Sequence, residues 1–209
     1  MPSIYDLKPR FQALLRPVTR ALVRWKMTAN QVTLLALVLS AVVGGLIAMF
    51  PGEAWPLLIV PPFLFVRMAL NAIDGMMARE HQMKSDLGLI LNEVGDVLAD
   101  SALYLPFALV AGVSPYFVVP LVVLSVISEM TGVVVLPICG ERRYDGPLGK
   151  SDRAFLFGLI ALLLGCGVAP GLWVEILLGA ALVLICWTII NRARSALKMA
   201  KTSPDQISA

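Results

Sequence analysis

The sequence has little charge. Asp, Glu, Lys and Arg make up 15% of its 209 residues, and 58% are hydrophobic, whereas a soluble domain carries about 25% charge. This balance excludes a water-soluble globular protein, because too few polar side chains are present to cover its surface. A spanning helix needs roughly 20 apolar residues, so the length allows about six. The sequence therefore predicts an all-α membrane protein with six transmembrane helices.

Cysteine is also scarce. The chain has three cysteines, Cys139, Cys166 and Cys186, which are widely separated and lie in or beside apolar runs. No pair has the spacing of metal ligands. We expect all three to be small buried hydrophobic residues.

Basic residues are absent from alternate connections between the apolar runs. Residues 51–54, 112–115 and 169–171 contain no Lys or Arg. The connection after the second run carries Arg79 and Lys84, the one after the fourth carries four basic residues, and both ends of the chain carry several. Because Lys and Arg concentrate in cytoplasmic loops, both termini are predicted to be cytoplasmic, which agrees with six spans. Short loops favour a multi-pass protein of the bacterial inner membrane.

The first 28 residues differ from the rest. Between residues 4 and 27, apolar side chains recur at helical spacing with Lys and Arg between them, which is typical of a helix lying in the membrane interface. Pro17 should bend or interrupt this helix. A disordered basic tail is the alternative.

The predicted boundaries follow the apolar runs. The six spans are expected at residues 30–50, 55–79, 86–111, 116–138, 154–168 and 172–191. The domain organisation comprises a juxtamembrane segment (1–28), a six-span domain (29–195) and a polar C-terminal tail (196–209).

Polar and small residues recur on one face of the second and third spans. The face on the second span carries Arg67, Asn71, Asp74 and Ala78. The face on the third carries Gly88, Asn92, Asp96 and Asp100. Asp74 and Asn92 lie roughly 7 Å and 9 Å from the cytoplasmic ends of their helices, counted by rise per residue. Since a short loop makes these helices antiparallel neighbours, the two faces are predicted to form one site.

Oxygen ligands of this kind suit a hard cation such as Mg²⁺ or Mn²⁺, which usually retains phosphate as a further ligand. The expected metal ligands are Asn71, Asp74, Asn92, Asp96 and Asp100. Gly75 and Gly88 would let a ligand approach the backbone, and Arg79 could bind a phosphate. The alternative is that these polar residues only pair the helices with one another.

The spacing of these residues resembles the signature of the CDP-alcohol phosphatidyltransferase (class I) family, here written Asn71-x2-Asp74-Gly75-x2-Ala78-Arg79-x8-Gly88-x3-Asn92-x3-Asp96. Six of the eight signature positions and every spacing match. Met27-Thr28-Ala29-Asn30 is similar to the Thr-Pro-Asn that opens the family's first span, with Ala replacing Pro. The resemblance implies a six-helix fold, an interfacial N-terminal helix and a homodimer.

The resemblance also implies a function in phospholipid biosynthesis. Family members transfer a phosphatidyl or related group from a CDP-linked donor to an alcohol and release CMP. The partners would be a CDP-linked lipid, an alcohol acceptor and membrane lipids, with no nucleic acid. Asp96 falls at the position of the general base. Gly75, Ala78 and Arg79 would face the cytidine and phosphates.

The chain departs from the signature at two aspartates, which are Asn71 and Asn92 here. An amide oxygen can bind Mg²⁺ but brings no negative charge. Four carboxylates become two, so of one or two bound ions we expect one. Asp100, one turn beyond Asp96, could restore some charge.

Three basic residues are further candidates for substrate binding. Arg67 could face the substrate or an anionic acceptor, or it could form an ion pair with Glu129. Lys150 and Arg153 lead into the fifth predicted span. They could bind the phosphate of the acceptor or of a lipid, or they could be ordinary cytoplasmic-side cations.

Two other functions remain open from the sequence. A catalytically impaired protein or lipid-binding subunit could keep the pocket without the metal chemistry. A small transporter is less favoured, because transporters usually contain internal repeats and binding sites near the midplane, whereas this chain has no repeat and its polar site lies toward one face.

Overall fold

A computed structural model describes residues 4–140 and 142–202, and throughout these ranges the regular structure is helical. The eight α-helices are α1 (Ile4–Arg24), α2 (Ala29–Met49), α3 (Ala54–Glu80), α4 (Asp86–Tyr104), α5 (Pro115–Val134), α6 (Leu136–Cys139), α7 (Lys150–Gly165) and α8 (Leu172–Thr202). A 3-10 helix, Leu105–Leu109, follows α4. The predicted all-α class is confirmed.

Among the described residues, four stretches are long and apolar enough to cross a membrane: Ala29–Met49, Ala54–Glu80, Pro115–Ile138 and Leu172–Ala200. They correspond to four of the six predicted spans and confirm the membrane class. The third predicted span falls on α4, which carries four acidic residues, and the fifth falls on α7, which has only 16 residues. The count of six spans therefore stays a prediction.

Several predicted boundaries differ from the observed ones. Pro17 does not interrupt α1, which also rules out the disordered alternative for residues 4–24. The third predicted span changes at Leu105 from α-helix to 3-10 helix, because Pro106 lacks the amide hydrogen that an α-helix requires. The last helix continues to Thr202, so the predicted start of the polar tail at residue 196 lies inside α8.

The chain divides into two compact units. The first comprises residues 1–45 and 59–103. Its buried apolar cluster combines Ala29 and Val32 of α2 with Ile73 and Met77 of α3, and residues of α1 pack against it. The helices α2 and α4 approach closely at Gly44, where a Cβ atom would lie only 1.9 Å from the carbonyl oxygen of Ala102. A side chain at this position is thus excluded.

The second unit comprises residues 46–58 and 104–209. Its core includes the ring of Phe157, which stacks on Tyr104 at 4.3 Å between centroids and meets Phe107 edge-on at 5.1 Å. The connection between α6 and α7 packs on α8, where the amide of Leu148 donates a hydrogen bond to Thr188 Oγ1 (3.0 Å).

The cysteine prediction is wrong for two residues. Cys166 and Cys186 are free thiols on the outer surface of the second unit. In a membrane protein an apolar outer face meets lipid, so a hydrophobic residue in a helix need not be internal. The side chain of Cys139 lies outside the described residues.

Candidate functional site

The candidate site lies within the first unit, and its best-buried carboxylate is that of Asp74. Asp74 is 5% exposed, and its Oδ2 accepts a hydrogen bond from Thr33 Oγ1 on α2 (2.8 Å). The same hydroxyl lies 3.2 Å from the carbonyl oxygen of Ala29. Thr33 thus fixes the carboxylate from a third helix. The sequence pattern did not single out Thr33. It lies one turn beyond Asn30, which belongs to the segment that resembles the opening of the family's first span.

The two predicted polar faces meet at Asn71 and Asp96. The amide Nδ2 of Asn71 on α3 donates a hydrogen bond to Oδ1 of Asp96 on α4 (3.4 Å). Both residues are partly buried. The amide also carries an oxygen that can accept a hydrogen bond or bind a cation. The prediction that these positions converge is borne out by this contact.

One turn further along both helices, Arg67 and Asp100 form a buried ion pair. Arg67 Nη2 lies 2.6 Å from Asp100 Oδ1, and the two residues are 3% and 6% exposed. The same nitrogen donates to the backbone carbonyl of Asp96 at 3.4 Å. The charge of Arg67 is therefore neutralised by Asp100, on the same face of α4 as Asp96.

The space beside both signature glycines is taken by polar groups. A Cβ atom at Gly75 would lie 3.2 Å from the guanidinium of Arg79, which covers it. A Cβ atom at Gly88 would lie 2.8 Å from Asn30 Oδ1 and 3.0 Å from Ser85 Oγ. Gly88 therefore lets the start of α2 approach α4.

Two other predicted site residues are partly buried. Ala78 is partly buried and packs against the apolar cluster of the first unit. Asn92 is also partly buried, one turn before Asp96 on α4.

The donor atoms fit a hard cation. Carboxylates from Asp74 and Asp96 and amides from Asn71 and Asn92 supply the oxygen ligands that Mg²⁺ or Mn²⁺ takes in proteins. Within the described parts of the chain, no group of three Asp, Glu, His or Cys is placed to hold a metal ion. The set is therefore poorer in charge than a site built from carboxylates alone.

The second unit contains its own buried polar cluster, centred on Glu129 of α5. Three arginines surround its carboxylate: Oε1 lies 3.0 Å from Arg153 Nη2, and Oε2 lies 2.8 Å from Arg142 Nη2 and 3.6 Å from Arg192 Nη1. Arg153 is fully buried, at 0% exposed, and Arg192 is 1% exposed. Sequence reasoning had not grouped these residues, because they lie far apart in the chain.

Two basic residues near this cluster have different surroundings. Lys150, at the first position of α7, is partly buried. Arg143 forms two hydrogen bonds with Asp145, at 2.7 and 2.8 Å. The hydrogen bonds from Arg143 hold the pKa of the Asp145 carboxyl below its usual range.

The molecule is thus an all-helical membrane protein with buried and partly buried carboxylates and carboxamides on adjacent helices. The chain belongs to the CDP-alcohol phosphatidyltransferase family, whose sequence model matches residues 26–192.

Similar proteins are found by sequence and by structure. The chain is 44% identical to the inner membrane protein YnbA of Escherichia coli (strain K12) over 197 residues, which cover 94% of this chain and 98% of YnbA. The fold resembles that of Mycobacterium tuberculosis phosphatidylinositol phosphate synthase (PgsA1). The structure with CDP-DAG bound matches at a TM-score of 0.75 and 17% identity, over 88% of this chain and 94% of that one. The structure with manganese and citrate matches at a TM-score of 0.74 and 18% identity, over 88% of both chains.

Proposed function

We propose that the protein transfers a phosphatidyl or other substituted phosphate group from a CDP-linked lipid to an alcohol and releases CMP. The observation that carries this proposal is the meeting of Asn71 and Asp96 at 3.4 Å across two helices, in a chain that matches the family over residues 26–192. The solved relative with CDP-DAG bound supports a CDP-lipid donor.

The cofactor in this proposal is a divalent cation, Mg²⁺ or Mn²⁺. Its protein ligands would come from Asn71, Asp74, Asn92 and Asp96. When bound, the ion would neutralise the donor's diphosphate and make CMP a better leaving group. The relative solved with manganese supports this cofactor.

Asp96 is assigned as the general base. Its carboxylate is only partly buried, unlike that of Asp74, and the Asn71 amide orients it. It would take the proton from the acceptor hydroxyl. The acceptor oxygen then bonds to the lipid-side phosphorus of the diphosphate, and the bond from that phosphorus to the CMP oxygen breaks. CMP leaves with the electron pair.

The donor's phosphates and cytidine are assigned to the residues that follow Asp74 on α3. Arg79 is exposed and its guanidinium lies over Gly75. It can move to a phosphate without breaking a buried contact, and a guanidinium binds phosphate oxygens in pairs. Ala78 and Gly88 are assigned to shaping the same region.

Acceptor binding is assigned first to Lys150, the first residue of α7. Arg153 was predicted for the same role, but its ion pair with Glu129 and its complete burial favour a structural role. We further propose an inner-membrane location, cytoplasmic termini and a homodimer. The loop charges and the inner-membrane relative support the location.

A CMP-release assay tests the proposal. Purified protein is incubated with CDP-diacylglycerol, Mg²⁺ or Mn²⁺ and a panel of alcohols, and CMP is measured. We expect CMP with at least one alcohol, and a lipid product of matching mass. A family member of known activity serves as the positive control, and protein without divalent cation as the negative control.

The two asparagines favour a second candidate, a lipid-binding protein that has lost catalysis. This candidate predicts that CDP-diacylglycerol binds but that no alcohol yields CMP. It also predicts that N71D/N92D, which restores the signature, produces CMP where the natural protein does not. CMP release by the natural protein would exclude it.

A further inference from the structure

We propose that the site holds a single divalent cation, and that Asp100 is not one of its ligands because the buried ion pair commits it to Arg67. This inference rests on the proposed function for the presence of a metal. It goes beyond that function by assigning the number of ions and the role of a residue outside the signature.

The charge at the signature positions sets the number of ions. The signature has four aspartates, whereas this chain has Asp74 and Asp96 together with the neutral Asn71 and Asn92. One divalent cation neutralises two carboxylates. In the absence of the donor's diphosphate, a second would leave two uncompensated positive charges beside Asp74, which is 5% exposed, and burial of unpaired charge is strongly unfavourable.

Asp100 does not restore the missing charge. Its carboxylate lies 2.6 Å from Arg67 Nη2, and both side chains are more than nine-tenths buried. If Asp100 turned to a metal ion, the guanidinium would lose its ion-pair partner in a buried environment, which typically costs about 3–5 kcal/mol. We therefore reassign Asp100 from metal ligand to partner of Arg67.

Arg67 is held beside the ligands. Its Nη2 donates to the carbonyl oxygen of Asp96, and Arg67 lies one helical turn from Asn71 on the same face of α3. The guanidinium is therefore tied to the turn of α4 that carries the proposed base. Arg67 acts here as a positioning residue that holds Asp100 and this turn of α4 in place.

The test counts bound Mn²⁺. Detergent-purified protein is titrated with Mn²⁺ alone and with Mn²⁺ plus CDP, and free Mn²⁺ is measured by electron paramagnetic resonance. We expect one Mn²⁺ per chain. Two ions per chain, or none under both conditions, would overturn the proposal.

Variants show whether the named residues determine this number. We expect N71D/N92D to bind two Mn²⁺, while N191D, which adds a carboxylate on α8, binds one. R67Q should release Asp100 and tighten Mn²⁺ binding at least tenfold, and R67Q/D100N should return it to the natural value. R67K keeps the charge and is the control for misfolding caused by changes at this position. An unchanged count in folded N71D/N92D, or unchanged affinity in folded R67Q, would contradict the assignment.

The metal count tests the single-ion site and the CMP assay tests the transferase, so one proposal can be rejected without the other. One Mn²⁺ per chain without CMP release would leave the single-ion site standing and reject the transferase. CMP release with two Mn²⁺ per chain would do the reverse.

Discussion

Arg67 and Asp100 form an ion pair one helical turn beyond the hydrogen-bonded pair of Asn71 and Asp96. The separation is 2.6 Å in the ion pair and 3.4 Å in the hydrogen bond. The two contacts join the same faces of α3 and α4 at successive turns. The Arg67–Asp100 contact joins two full charges. The Asn71–Asp96 hydrogen bond uses the amide nitrogen of Asn71 and leaves its amide oxygen available.

Removing one partner of the ion pair should lower the free energy of unfolding. Arg67→Ala leaves Asp100 buried without its cation, and a loss of about 3–5 kcal/mol is expected. Arg67→Leu with Asp100→Leu should be closer to the natural protein, because both charges leave together. Thermal unfolding in detergent, followed for the single variants and the pair, measures the coupling. Losses in the pair that equal the sum of the single losses would show that the two residues act separately.

Asp96→Asn should slow CMP release strongly without unfolding the protein. Loss of a general base typically slows a reaction by about 10²–10⁴-fold, and an amide keeps the size of the side chain. Asp86→Asn, an exposed position at the start of the same helix, is the matched control and should retain activity. Equal activity in the two variants would remove Asp96 from the mechanism.

Thr33→Val should raise the divalent-cation concentration needed for half-maximal CMP release. The hydroxyl orients Asp74 at 2.8 Å, and loss of such a contact to a metal ligand typically weakens binding about 10–100-fold. Thr33→Ser keeps the hydroxyl and should behave like the natural protein. If Val and Ser variants require the same cation concentration, Thr33 does not position the ligand.

Gly44 and its neighbour Gly45 offer a paired test of helix packing. A Cβ at Gly44 would lie 1.9 Å from the carbonyl oxygen of Ala102, whereas a Cβ at Gly45 meets nothing within 4 Å. Gly44→Ala should lower the unfolding temperature strongly, because α2 must move away from α4. Gly45→Ala should be neutral or slightly stabilising, by up to about 1 kcal/mol in helix propensity. Similar midpoints for the two variants would contradict the close approach.

Glu129→Gln should destabilise the second unit. The change leaves three guanidiniums around a neutral side chain, and uncompensated buried charge typically costs about 3–5 kcal/mol. Glu175→Gln, an exposed position in the first turn of α8, is the control and should unfold like the natural protein. Unfolding of the two variants at one temperature would show that the cluster does not depend on the Glu129 charge.

The sequence by itself determined the class of protein and the location of the site. Low charge and long apolar runs required lipid as solvent, and spacings of three and four residues placed Asn71, Asp74, Asn92 and Asp96 on two helical faces. These inferences succeed because periodicity is a local property of the chain. The extension of α8 to Thr202 lies beyond the apolar run that set the predicted boundary.

The tertiary structure alone decided which charges are partners. Helical spacing shows the face on which Arg67 lies but does not reveal whether the guanidinium reaches Asp100 or Glu129, since counting residues along a helix gives depth but not the packing between helices. Packing of α3 on α4 brings Arg67 to Asp100. Glu129 is surrounded instead by three arginines from distant parts of the chain. The contact of Thr33 with Asp74 likewise depends on tertiary structure, because only the packed helices bring its hydroxyl to that carboxylate.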